Sequence, residues 1–144
     1  MRAKPLVQTA DETTWVLVFD TGDEAVAGLT DFASQHSITA AHFTAVGAFS
    51  AATLGYFNWE TKEYEPVSVA EQSEVVTLMG DIAIESGKPK IHAHASLAKR
   101  GGVMIGGHLL EGHVRPTLEV VLTQSPEHLE RQFDPQSGIA LIRL

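Results

Sequence analysis

Cysteine is absent from this chain, which excludes disulfides, thiolate nucleophiles and thiolate metal sites and leaves tight metal ligation to histidine and carboxylate. Positive charge is scarce as well. Ten Lys and Arg stand against eighteen Asp and Glu, a formal net charge of −8, which disfavours unaided attraction to phosphate backbones or anionic lipid. No apolar run reaches the roughly eighteen residues of a membrane span, and the opening MRAKPLVQTADE has no apolar segment of a secretory signal. The expectation is a soluble cytoplasmic protein that engages neither membrane nor, unaided, DNA.

What is present is enough for one core. With 144 residues, 44% apolar composition, six Phe, two Tyr and two Trp, the chain suits one domain over 1–144. Neither a linker nor a repeat divides it. Trp15 to Phe19 is a short β-prone run, and Thr21-Gly22-Asp23-Glu24 predicts a capping box with Thr21 as N-cap and Glu24 at N3. Val26, Leu29, Phe32 and Ala33 then recur at helical spacing through Ser34-Gln35-His36.

Beyond Ile38 the pattern turns to β. Ala40 to Phe49 and Ala52 to Trp59 predict two strands paired through a tight link at Ser50-Ala51. Tyr64 to Ala70, Glu74 to Glu85, Lys90 to Leu97, Leu118 to Thr123 and Ile139 to Ile142 continue as strands, with Gly80 a bulge or close-packing point and Ser86-Gly87-Lys88-Pro89 a turn. Ser125-Pro126-Glu127 predicts the start of a short helix through Gln132. The expected fold is α+β, a mostly antiparallel β-sheet with a few flanking helices.

The chemistry concentrates in His92-Ala93-His94, followed by Gly106-Gly107-His108, with Gly101-Gly102 and Gly106-Gly107 expected to let the backbone turn sharply and approach closely. Alternate residues of a strand share a face, so the two rings of H-x-H sit side by side with Cα atoms roughly 7 Å apart. Ile91, Ala93, Ala95 and Leu97 take the packing side, which turns the histidine face toward a cleft. Three neutral imidazoles suit zinc, nickel, copper or iron and leave a coordination position open for water or a substrate oxygen. Such an ion can activate water or polarise a carbonyl. The bland alternative is three ordinary histidines that never meet, because H-x-H alone is a weak motif.

Other polar groups are weaker candidates. His113 is a conceivable fourth ligand, though five residues past His108 a straight strand would turn it away. His36, His42 and His128 read as ordinary structural or surface groups. Glu74, Glu111 and Glu119 could orient a bound water or a ligating ring, and Glu119 stands out within Leu118-Glu119-Val120-Val121-Leu122. Arg115 could pin an anion beside the metal, with a salt bridge to Glu111 or Glu119 the preferred reading. Glu74, Glu119 and Arg115 are the candidates for a catalytic role.

Several separated strings, in order, resemble the PPC domain family of plants and prokaryotes. They are Thr44-Ala45-Val46-Gly47-Ala48-Phe49-Ser50 with the following Ala52-x-Leu54-x-x-Phe57, then Ser73-Glu74-Val75-Val76-x-Leu78-x-Gly80, His92-x-His94-x-Ser96-Leu97 and Gly106-Gly107-His108-Leu109. The resemblance implies an α+β domain assembled as a homotrimer, in a family whose bacterial members often carry a DNA-binding label. That label comes from plant relatives in which AT-hooks with an Arg-Gly-Arg-Pro core precede the domain. The only Arg-Pro here is Arg115-Pro116, preceded by Val114, so the DNA-reading element is missing.

The domain is also similar in fold to acetolactate decarboxylase, which holds zinc through an H-x-H pair and a later histidine. His92, His94 and His108 match that arrangement. The resemblance implies a divalent-metal site, zinc first among the candidate ions, with a metal-dependent lyase or hydrolase activity suggested by analogy alone. Two functions compete: a homotrimeric three-histidine metal protein with a small-molecule ligand, and a DNA-associated regulatory or scaffold protein without an AT-hook of its own.

Overall fold

Alternating apolar and polar residues build nine strands around one helix, in a computed structural model that describes residues 1–144. In chain order these are β1 (Arg2–Gln8), β2 (Thr13–Asp20), α1 (Ala25–Gln35), β3 (Ala40–Asn58), β4 (Glu63–Val69), β5 (Ser73–Glu85), β6 (Lys88–Ala98), β7 (Met104–Gln124), β8 (Glu130–Asp134) and β9 (Ile139–Arg143). The architecture is the expected α+β domain dominated by antiparallel sheet, with one helix. Every strand pair is antiparallel except β5 with β8.

Two long strands organise the sheet. β3 pairs β5 on one side and β7 on the other, while β6 pairs both β5 and β7. The circuit β3, β5, β6, β7 therefore closes on itself, with β1-β2 and β8-β9 extending it at its margins. Its packed side holds Phe19, Phe43, Phe49, Leu54, Leu78 and Leu97, all essentially inaccessible. The apolar stripe of α1, Ala25, Leu29, Phe32 and Ala33, joins the same cluster. Burial of such side chains stabilises by about 1.5–3 kcal/mol each.

Four expectations about elements need correction. Helix α1 begins at Ala25 with Glu24 as N-cap, one turn later than a Thr21 cap implies. The Glu24 carboxylate accepts from Val26 N at 3.1 Å and Ala27 N at 2.6 Å, and also from Gly112 N at 2.9 Å, which ties the helix start to β7. Thr21 instead donates its hydroxyl to the Pro116 carbonyl at 3.1 Å.

Residues 40–58 form one strand, not a hairpin of two. Neither Ser50 nor Ala51 has the positive φ of a tight hairpin turn, and β3 runs on beside β7 with register shifts between Gly47 and Phe49, Phe49 and Ala51, and Thr53 and Leu54. Those bulges bend the strand. The same bending lets β7 continue through the predicted glycine turn at 106–107 and the segment up to Leu118.

Ser125 to Gln132 is not helical. Ser125 N donates to Ala40 O at 3.0 Å, and Leu129 O accepts from Ile84 N at 2.8 Å. These bonds to neighbouring strands replace the i→i−4 ladder of so short a helix. The final residues of that stretch enter β8, which pairs β5 through Ile84 with Glu130 and Glu85 with Arg131.

Candidate metal centre

The β5–β6 hairpin sets the register of the first two histidines. Its two-residue turn, Ser86-Gly87, has φ of 51° and 79°, the left-handed pair that a type I′ turn requires. From there the pairing runs Glu85 with Lys88, Asp81 with His92, and Met79 with His94. Gly80 permits this closeness. A Cβ there would collide with the His92 carbonyl and the Phe43 ring, so the close-packing expectation for Gly80 is met.

The third histidine arrives on β7. His108 pairs with His94 and also with Gly55 of β3, and Gly106 and Gly107 let the strands approach. A Cβ on Gly107 would lie 2.8 Å from the Gly55 carbonyl and one on Gly106 3.1 Å from that of Ala95. Ala93, Ala95 and Leu97 point into the core, so His92 and His94 face the opposite side of the sheet.

The three rings meet. Each pair of centroids is 5.3 Å apart, with His92 and His108 stacked and His94 edge-on to both. One ring nitrogen from each lies within 4.8 Å of the others, a group able to hold a metal ion. Zinc–nitrogen bonds of about 2.1 Å place tetrahedral donors about 3.4 Å apart, so ligation requires these nitrogens to draw together by side-chain rotation. His108 Nδ1 is buried with no partner in the protein, so nothing competes with a ligand for it.

Electrostatics keeps two of the rings, His94 and His108, in their ligating form. Burial, with the neighbouring charges of His92, His94, Lys90 and Arg131, lowers the pKa of His108 to about 4. Burial and His92 lower that of His94 as well. Neutral imidazole is the form that binds metal.

Asp81 and Arg131 are part of this site and were missed in the sequence. His92 Nδ1 lies 3.2 Å from Asp81 Oδ2, and the other oxygen, Oδ1, accepts from Arg131 Nη2. Burial raises the Asp81 pKa, but hydrogen bonds from His92 and Arg131 and the charge of Arg131 outweigh it and hold the carboxyl below its usual value. An ionised carboxylate accepts a hydrogen bond from the proton on His92 Nδ1, the tautomer of the neutral ring that keeps the Nε2 lone pair for a metal. A signal existed: counting outward from the Ser86-Gly87 turn places Asp81 opposite His92. Tyr64 of β4 completes the wall, its ring stacked on His108 at 4.6 Å.

The remaining candidates lie elsewhere. His113 pairs with Glu111 at 2.9 Å, and Arg115 hydrogen-bonds Gln72 at 3.0 Å, not Glu111 or Glu119. Glu74, opposite Ala48 and Ala98, and Glu119, opposite Val46 and Val18, are exposed and outside the cluster. His36 packs on Trp15 and Phe32, while His42 and His128 are exposed.

A pocket of about 470 Å³ opens beside His92 and His108, lined also by Tyr64, Lys90, Arg131 and the apolar side chains of the β8–β9 hairpin. No helix is long and apolar enough to cross a membrane.

Solved structures share this framework. A metal-containing protein from Archaeoglobus fulgidus is 35% identical over 91% of this chain and 93% of its own, with a TM-score of 0.84. A protein from Ralstonia eutropha JMP134, described as a candidate DNA-binding protein, is 30% identical over 90% of each chain, with a TM-score of 0.85. A Staphylococcus aureus protein of unknown function, similar to alpha-acetolactate decarboxylase, shares the fold alone, at 12% identity and a TM-score of 0.55 over 78% of this chain and 52% of its own. No curated protein matches. The model of the Plants and Prokaryotes Conserved (PCC) domain matches residues 7–126, and the chain therefore belongs to that family, the one its motifs resemble under the name PPC.

Proposed function

We propose that this chain is a homotrimeric metal-binding protein, one domain over residues 1–144, in which His92, His94 and His108 ligate a divalent ion. Convergence of the three ring nitrogens within 4.8 Å carries this reading. Zinc suits three imidazoles with a fourth position open, and nickel, iron and copper share that preference in part. Held by these three imidazoles, a divalent ion would supply Lewis acidity beside the adjoining pocket. The metal-containing description of the Archaeoglobus fulgidus relative supports it.

The protein's own residues prepare the site. Asp81 fixes the His92 tautomer, Arg131 holds Asp81, and Tyr64 backs His108. Assembly is supported by the open face of the sheet, where Val46, Met79 and Val121 are each about half exposed. These lie on neighbouring strands beside the histidines, since Val121 pairs with Thr44, Thr44 with Met79 and Met79 with His94. An apolar face of that kind fits a subunit contact.

DNA association is the weaker reading despite the description of the Ralstonia relative. The net charge is −8, and Arg2, Lys99 and Arg131 are paired with Asp20, Glu71 and Asp81. Metal analysis of untagged protein tests the first reading. We expect about one ion per chain in the wild type and none above background in the His92→Ala/His94→Ala/His108→Ala variant; equal content in the two folded proteins would overturn it.

A further inference from the structure

The pocket beside the histidines has a composition that selects its ligand. Its polar lining is cationic: Lys90 stands two residues before His92 on the same face of β6, and Arg131 enters from β8. Lys90 forms no ion pair in the protein, whereas the Arg131 guanidinium is buried, bonded to Asp81 through Nη2, with its Nε unpartnered. Glu85 at the margin is the one carboxylate that lines the pocket. Three neutral imidazoles bring no negative charge to a divalent ion, so ion, Lys90 and Arg131 together exceed the charge of Asp81 and Glu85.

The rest of the lining is largely apolar. Leu110 from β7 and Phe133, Ile139 and Leu141 from the β8–β9 hairpin supply it, beside the Tyr64 ring that stacks on His108. Phe133 and Leu141 are exposed at 68% and 41%, so a ligand lying against them would cover surface now in water. A volume of about 470 Å³ is within the range that holds a small organic molecule.

From this arrangement we infer that the pocket takes a small monocarboxylic acid with an apolar body, its carboxylate between Lys90 and the metal and its body against Leu110, Phe133, Ile139 and Leu141. The inference rests on the metal reading above and adds the ligand class. Charge complementarity selects the carboxylate and orients it, while removal of apolar surface from water supplies affinity that grows with the body. An inorganic anion satisfies only the first of these.

Calorimetric titration of the full chain, loaded with zinc and with its metal content measured in each sample, tests the inference using hexanoate, hexanamide, acetate and inorganic phosphate as probes. Hexanoate is expected to bind about tenfold or more tightly than each of the other three. The Lys90→Met variant, which removes the charge and keeps the stem, is expected to lose about tenfold for hexanoate with zinc content unchanged. Zinc retained without hexanoate binding, or with hexanamide or phosphate binding equally well, would overturn the carboxylic-acid ligand and leave the metal reading standing. Acetate equal to hexanoate would overturn the apolar half of the site. A folded wild type that holds no zinc would overturn the metal reading, and this inference would fall with it.

Discussion

At the scale of single residues, the contact that most distinguishes this site from three adjacent histidines is Asp81 on His92. A carboxylate that fixes a ring tautomer raises its basicity toward metal, and losing such a partner costs about 10–100-fold in affinity. Asp81→Asn is therefore expected to weaken zinc binding by that factor, read by competition against a chelator, while the variant remains folded. Unchanged affinity would remove Asp81 from the site. The histidines themselves were legible because H-x-H and GGH report strand face and close approach. Asp81 and Arg131 were not read, since their meaning lies in pairing across the hairpin and in the parallel contact of β8 with β5. Arg115, the cation singled out in the sequence, turns instead to Gln72.

At the scale of elements, Glu24 shows how a local motif and a tertiary contact combine. Its carboxylate caps α1 and also holds Gly112 N of β7, so Glu24→Ala removes three accepted bonds at once. The expected loss is about 1–2 kcal/mol of stability, measured as a lower urea midpoint; an unchanged midpoint would deny the cap its role. Alternation identified most strand segments correctly, from Trp15 to Phe19 through Lys90 to Leu97. It failed where one strand bends. Small residues at Ser50-Ala51 and glycines at 106–107 look like turns to a sequence reader, yet here they accommodate bulges and close strand packing. The Ser125-Pro126-Glu127 start signal lost to backbone bonds with Ala40 and Ile84 that no local pattern encodes.

At the scale of the whole molecule, fold class and family were legible because composition, strand periodicity and ordered motifs agree, whereas the proposed assembly rests on a face that one chain leaves open. With Val46, Met79 and Val121 exposed there, light scattering is expected to give three times the 15.5 kDa chain mass. Val121→Glu is expected to lower that mass with its circular dichroism retained, and a wild-type monomer would contradict the trimer. The central claim concerns the ion. Anomalous diffraction at the zinc edge from crystals of the zinc-loaded protein tests it most directly: the account predicts one strong peak bonded to ring nitrogens of His92, His94 and His108, and a peak elsewhere, or none between these rings, would contradict it.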